Sequence, residues 1–173
     1  MARALPIGVQ DFKEIRDSGL LYVDKSDMIS QILSEGTNSY LFTRPRRFGK
    51  SLNLSMLDAF FNLKYPKDNG WFDGLKVSEC GECQEHRNSY PVICFDFKEL
   101  GVASREMFEV DLKLKISDLY RQHKYLLDSD ILDDLDRQYV MDVLKGNIEP
   151  LGLRKSISTL SRMLHEHHGR KVI

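Results

Sequence analysis

The stretch Arg44-Pro45-Arg46-Arg47-Phe48-Gly49-Lys50-Ser51 constrains this chain most, because it matches the pattern G-x-x-x-x-G-K-[ST] everywhere but the first position, where arginine stands for glycine. That pattern describes a loop whose backbone N–H groups converge on phosphate oxygens at a helix N-terminus, where unpaired donors and the helix dipole both favour negative charge. Gly49 lets the backbone approach closely. Lys50 is a compact charge able to reach the outer phosphates of a nucleotide, and the Ser51 hydroxyl suits a magnesium ion shared with them. Two residues run against the general pattern. Arg44 would be strained if its position demanded a positive φ, and Pro45 removes one N–H from the upstream half of the loop.

The flanking residues supply the context such a loop needs. Residues 39–43 form a short aromatic and β-branched run that reads as a strand. After Ser51, the residues Leu52, Leu54, Met56, Leu57, Phe60 and Phe61 are apolar on nearly every side, as in a helix packed against a sheet. Residues 91–97, with Val92, Ile93, Cys94, Phe95 and Phe97, make the near-continuous apolar run of a parallel strand buried on both faces. An earlier helix places Met28, Ile29, Ile32 and Leu33 at three- and four-residue spacing and is expected to stop near Gly36.

Three more helices are expected further on. One carries Phe108, Leu112, Ile116, Leu119 and Tyr120, one lies near residues 131–144, and one carries Leu153, Ile157, Leu160 and Leu164. Lys171, Val172 and Ile173 look like the start of another strand. The expectation is therefore an α/β, P-loop NTPase-like fold of parallel strands with flanking helices, incomplete at the C-terminus. Residues 1–173 would form the N-terminal portion of a single domain, with a polar insertion at 74–88.

Composition narrows the partners. A net charge of -1 gives no bulk electrostatic case for nucleic acid, membrane or acidic partners, so any such case must be local. No apolar run approaches the roughly 18 residues of a membrane span, and no secretion signal opens the chain, so a cytoplasmic location without a membrane partner is the expectation. Three cysteines without such a signal argue against a disulfide framework.

Other constellations carry less. Cys80, Cys83 and His86 have the spacing of half a zinc site, but the nearest fourth ligand, Cys94, falls inside the apolar run at 91–97, and a surface loop with reduced cysteines explains them better. His165-Glu166-His167-His168-Gly169 fails as a zinc-hydrolase motif, because the residue four after His165 is glycine, and it reads as a polar helix end. Asp128, Asp130, Asp133, Asp134 and Asp136 lack the glycine and closing glutamate of a calcium loop and read as helix capping. Arg44, Arg46 and Arg47 offer an alternative reading as a nucleic-acid-binding patch, since clustered arginines hold phosphate backbones without hydrolysis. A degenerate P-loop serving as a protein-interaction scaffold is a third.

Taken in order, Leu5-Pro6-Ile7-Gly8, Tyr22-Val23-Asp24-Lys25, the loop at 44–51 and Tyr90-Pro91-Val92-Ile93 resemble the bacterial AAA-ATPase-like proteins over nearly the whole chain. In that family an arginine-rich loop without the first glycine is usual. The resemblance implies ATP and Mg2+ as ligands, held through Arg44, Pro45, Arg46, Arg47, Phe48, Gly49, Lys50 and Ser51, with Ser51 at the metal. It implies that the strand beginning at Lys171 continues into an acidic Walker B pair that polarises the attacking water, and that hydrolysis belongs to the complete protein. It also implies, in many full-length members, a restriction-endonuclease-like domain further on, with nucleic acid or protein as a further partner. The segments at Ile7 and at Tyr22 to Asp24 stand where related ATPases contact adenine or brace the loop.

Overall fold

The computed structural model describes residues 4–98, 100–101 and 103–173. Among these the regular structure is helical: α1 (Phe12–Asp17), α2 (Asp27–Glu35), α3 (Lys50–Phe61), α4 (Gly81–His86), α5 (Arg105–Gln122), α6 (Asp134–Leu144) and α7 (Pro150–His168), with 3-10 turns at Lys76–Glu79 and Lys124–Asp128. No strand forms among the described residues, which overturns the expected α/β fold of parallel strands.

The physical reason lies in pairing. A strand exists only through a neighbour that takes up its backbone N–H and C=O groups. Residues 39–43 have no such ladder, and Leu41 is 88% exposed. Around residues 91–97 the pairing stops at isolated contacts. Asn62 and Tyr90 make a single parallel bridge, the Leu63 N–H donates to the Tyr90 carbonyl at 2.9 Å, and the Ile93 N–H donates to the Ile173 carbonyl at 2.8 Å. Phe97 is 71% exposed, so the run expected to be buried on both faces is not.

The chain divides into two compact units, Met1–Val92 and Ile93–Ile173. In the first, α2 ends at Gly36, whose φ of 61° is the left-handed conformation that glycine adopts without steric cost. Its core is aromatic. The Phe12 and Phe72 rings lie 4.9 Å apart, and Phe60 meets Phe72 nearly edge-on at 5.1 Å. Each such ring, fully buried, contributes about 1.5–3 kcal/mol of transfer free energy. The Phe12 N–H donates to Ser55 Oγ at 3.0 Å, which fixes α1 on α3.

Residues 74–88, expected to be a polar insertion, instead deliver Leu75, Val77 and Cys83 to this core, with polar residues between them facing outward. Their apolar positions are too widely spaced to register as one periodic face.

The second unit packs α5, α6 and α7 around Ile116, Leu119, Tyr120, Leu160 and Leu164. The expected apolar faces of α5 and α7 are largely those observed, except that Ile157 is exposed and Met163 is fully buried. Tyr120 donates its hydroxyl to the Ser156 carbonyl at 2.7 Å, so the largest buried side chain of the unit is also satisfied. Asp133 caps α6 by accepting from the Asp136 N–H at 2.7 Å, and the histidine-rich end of α7 closes at Gly169 with φ of 59°.

Candidate functional site

The loop preceding α3 passes twice through the left-handed region, at Arg47 with φ of 69° and at Gly49 with φ of 72°. Arg44 has no positive φ, so the strain expected there falls on Arg47, where a non-glycine residue costs roughly 1 kcal/mol. A Cβ at Gly49 would meet nothing within 4 Å, so glycine answers the backbone angle and not a crowded neighbour. Gly49 is also the N-cap of α3, and no side chain caps the helix there, which leaves its first N–H groups for another acceptor.

Lys50 opens α3 and folds back over the loop. Its Nζ donates to the carbonyls of Arg44 and Pro45, the second at 3.2 Å. The ammonium group therefore sits across the loop at the positive end of the helix, bonded to groups that an anionic ligand can replace. Residues 41–50 are exposed throughout.

Beside the loop lies a cavity of about 900 Å³ within the first unit. Arg44, Phe48, Gly49 and Lys50 form its loop side. The opposite walls come from Leu5 and Pro6, from Tyr22, Val23 and Lys25, and from Asp27, Met28 and Gln31 at the start of α2. Of the eight loop residues singled out in the sequence, Pro45, Arg46, Arg47 and Ser51 do not line it. Of the segments expected at Ile7 and at Tyr22 to Asp24, Tyr22 and Val23 line it, while Ile7 and Asp24 do not, and Leu5 and Pro6 line it in place of Ile7. The contribution of Asp27, Met28 and Gln31 had no local signal, because α2 reaches the loop only through tertiary packing.

Two groups have shifted acidities, Tyr22 on the wall and Asp24 in the segment behind it. Burial pushes the Tyr22 hydroxyl up to about 12, and that hydroxyl rests 3.1 Å from Met56 Sδ. Asp24 is pushed upward by burial but ends below the ordinary carboxylate range, because its two oxygens accept the Lys76 N–H and the Ser26 N–H, each at 2.8 Å. Asp24 thus stays ionised and ties the segment leading into α2 to the 3-10 turn at Lys76–Glu79.

The metal readings resolve differently from expectation. Cys80 and Cys83 are joined in a disulfide, which replaces both the reduced surface loop and the half zinc site. His86 turns to the Tyr90 hydroxyl, and Cys94 is exposed instead of buried in a strand. Among the described residues no group of three or more His, Cys, Asp or Glu side chains is placed to hold a metal ion. No described helix is long and apolar enough to cross a membrane.

A family model described as predicted AAA-ATPase matches residues 6–173. The chain belongs to this AAA-ATPase-like family. Membership supports nucleotide binding at a coarse level and agrees with the residues that carried the resemblance. A protein of Azotobacter chroococcum mcd 1, described as an uncharacterized protein in the vnfD 5' region, is 42% identical over 78 residues, covering 44% of this AAA-ATPase-like chain and 14% of that relative. No solved structure matches the chain.

Proposed function

We propose that this AAA-ATPase-like chain binds ATP with Mg2+, the phosphates lying over Phe48, Gly49, Lys50 and Ser51 at the N-terminus of α3. The observation that carries the reading is the cavity that joins Gly49 and Lys50 to the apolar wall of Leu5, Pro6, Tyr22 and Val23. One end offers a cation and uncapped helix N–H groups to an anion, and the other offers apolar and aromatic surface to a base. Lys50 exchanges its carbonyl partners for phosphate oxygens on binding. Arg44 lines the same space and adds positive charge, while the Ser51 hydroxyl would help to hold the magnesium. Bound magnesium supplies charge neutralisation to the phosphates. In the whole protein, binding is expected to be coupled to ATP hydrolysis and conformational change.

Lys50→Ala removes a charge-assisted interaction of about 1.5–3 kcal/mol, or roughly ten- to a hundredfold in Mg-ATP affinity. Calorimetric titration of the folded variant checks this, and an unchanged Kd would overturn the assignment of Lys50. One observation favours the nucleic-acid alternative: Arg46 and Arg47 are exposed and stand outside the cavity. That reading requires DNA binding with a steep salt dependence that ATP does not compete away, and a flat salt response removes it.

A further inference from the structure

The disulfide sits at one end of a clamp on the cavity wall. The 3-10 turn at Lys76–Glu79 is gripped on one side by the segment leading into α2: the Lys76 N–H donates to Asp24 Oδ2 at 2.8 Å and the Val77 N–H to Ser26 Oγ at 3.1 Å. On its other side Gln84 of α4 donates Nε2 to the Val77 carbonyl at 2.9 Å. Ser26 and Val77 are both buried, so the bond between them has no water to replace it, whereas the Lys76–Asp24 bond is exposed. Cys80 follows the turn directly and Cys83 lies in the first turn of α4, so the disulfide closes this unit covalently. Lys25, Asp27, Met28 and Gln31, which line the cavity, are carried by the segment the unit holds.

The two sulfurs differ in access. Cys83 is 2% exposed and packed in the core, whereas Cys80 is half-buried. The Cys83 N–H points at Cys80 Sγ, 3.3 Å away, which is an arrangement that holds negative charge on the Cys80 sulfur when the bond is open. We propose that Cys80 and Cys83 are a reversible thiol–disulfide site, exchanged with a dithiol reductant at Cys80, whose state sets how firmly residues 24–35 of the cavity wall are held.

In the reducing direction a thiolate of the dithiol attacks Cys80 Sγ. The Cys80–Cys83 bond breaks, and its electron pair leaves on Cys83 Sγ, which takes up a proton. The second thiol of the donor then attacks the mixed disulfide and releases Cys80 as a thiol. Two electrons and two protons have passed to the cysteines, and the donor departs as its own disulfide. With the short covalent ring open, the turn and α4 regain conformational freedom, and their grip on Asp24 and Ser26 weakens.

The test uses the full chain equilibrated in graded mixtures of reduced and oxidised dithiothreitol, trapped with iodoacetamide and mapped by mass spectrometry, with hydrogen exchange read on the same samples. Cys80 and Cys83 are expected to pass together and reversibly between protected and alkylated, and amides of residues 24–35 to exchange about tenfold faster in the reduced state. Cys80→Ser, at the more accessible sulfur, should show the fast exchange under both conditions. Failure of the pair to form under oxidised dithiothreitol, or equal exchange in the two states, overturns the proposal. Only the consequence for ligand rests on the nucleotide reading: Mg-ATP affinity is expected to fall on reduction. Absence of ATP binding in both states would count against nucleotide binding, while the exchange result judges the redox clamp by itself.

Discussion

At its C-terminal end α3 is closed by buried polar groups that satisfy one another, whereas at its N-terminal end it meets a loop that is exposed throughout and capped by no side chain. Asp58 accepts from Asn62 Nδ2 at 2.7 Å, the Tyr65 hydroxyl at 2.8 Å and Lys64 Nζ at 3.3 Å. Asn88, reached from 26 or more residues further along the chain, donates Nδ2 to the carbonyls of Ala59 and Asn62, both at 2.9 Å. At the other end Lys50 bonds only to loop carbonyls, and Arg47 is held in a left-handed conformation. The difference teaches where the unit stores its stability. A well-satisfied C-terminal end lets the same helix carry strain and open donors at the end beside the cavity.

The strongest way to break this contrast is Asp58→Ala. The variant leaves the buried Asn62 amide and two further donors without their acceptor, and hydrogen bonds to a charged group contribute about 1.5–3 kcal/mol each before relaxation. Because Lys64 and Tyr65 regain some water, a net loss of about 3 kcal/mol is expected by urea unfolding. A loss under about 1 kcal/mol would mean that the C-terminal end is not what secures the helix. Asn88→Ala comes next, at about 2 kcal/mol, since it removes the bonds to the carbonyls of Ala59 and Asn62 and places alanine at a φ of 48°. Asn88→Gly separates the causes: it keeps the backbone angle and should recover less than half of the loss. Full recovery would assign the effect to backbone strain alone.

Much of the helical structure was legible in the sequence because helices are specified locally. The spacing of Met28, Ile29, Ile32 and Leu33 with Gly36 beyond it marks α2, and the loop residues up to Gly49 do lead directly into α3. That the expected strands do not form among the described residues was not legible, for the opposite reason. The apolar run at 91–97 has strand composition, but pairing depends on distant backbone, and a short apolar run carries no information about whether a partner arrives. The C-terminal network of α3 was equally hidden, since Asp58, Asn62 and Asn88 are single polar residues with no motif spacing. For the cysteines the C-x-x-C interval was visible, but an odd count was a poor guide to pairing, because the bond at Cys80 and Cys83 needs only those two. Of the cavity lining, Gly49, Lys50, Tyr22 and Val23 carried a sequence signal, whereas Ile7 and Asp24, also singled out, do not line it. The share taken by Asp27, Met28 and Gln31 was not legible.

The smallest effect is expected at the open end and has the opposite sign. Arg47→Gly relieves a left-handed arginine worth roughly 1 kcal/mol but adds freedom to the unfolded chain worth about half of that or more, for a net gain of at most about 0.5 kcal/mol in urea unfolding. Since Arg47 does not line the cavity, Mg-ATP affinity should change much less than in Lys50→Ala. A destabilised Arg47→Gly would show that the arginine side chain holds the loop, and the open end would then be supported by contacts of its own instead of by the satisfied end of α3. A variant that gains stability yet loses affinity as severely as Lys50→Ala would show instead that the strained turn at Arg47 fixes the loop geometry ligand requires, which is the sharpest form of the division between the two ends of this helix.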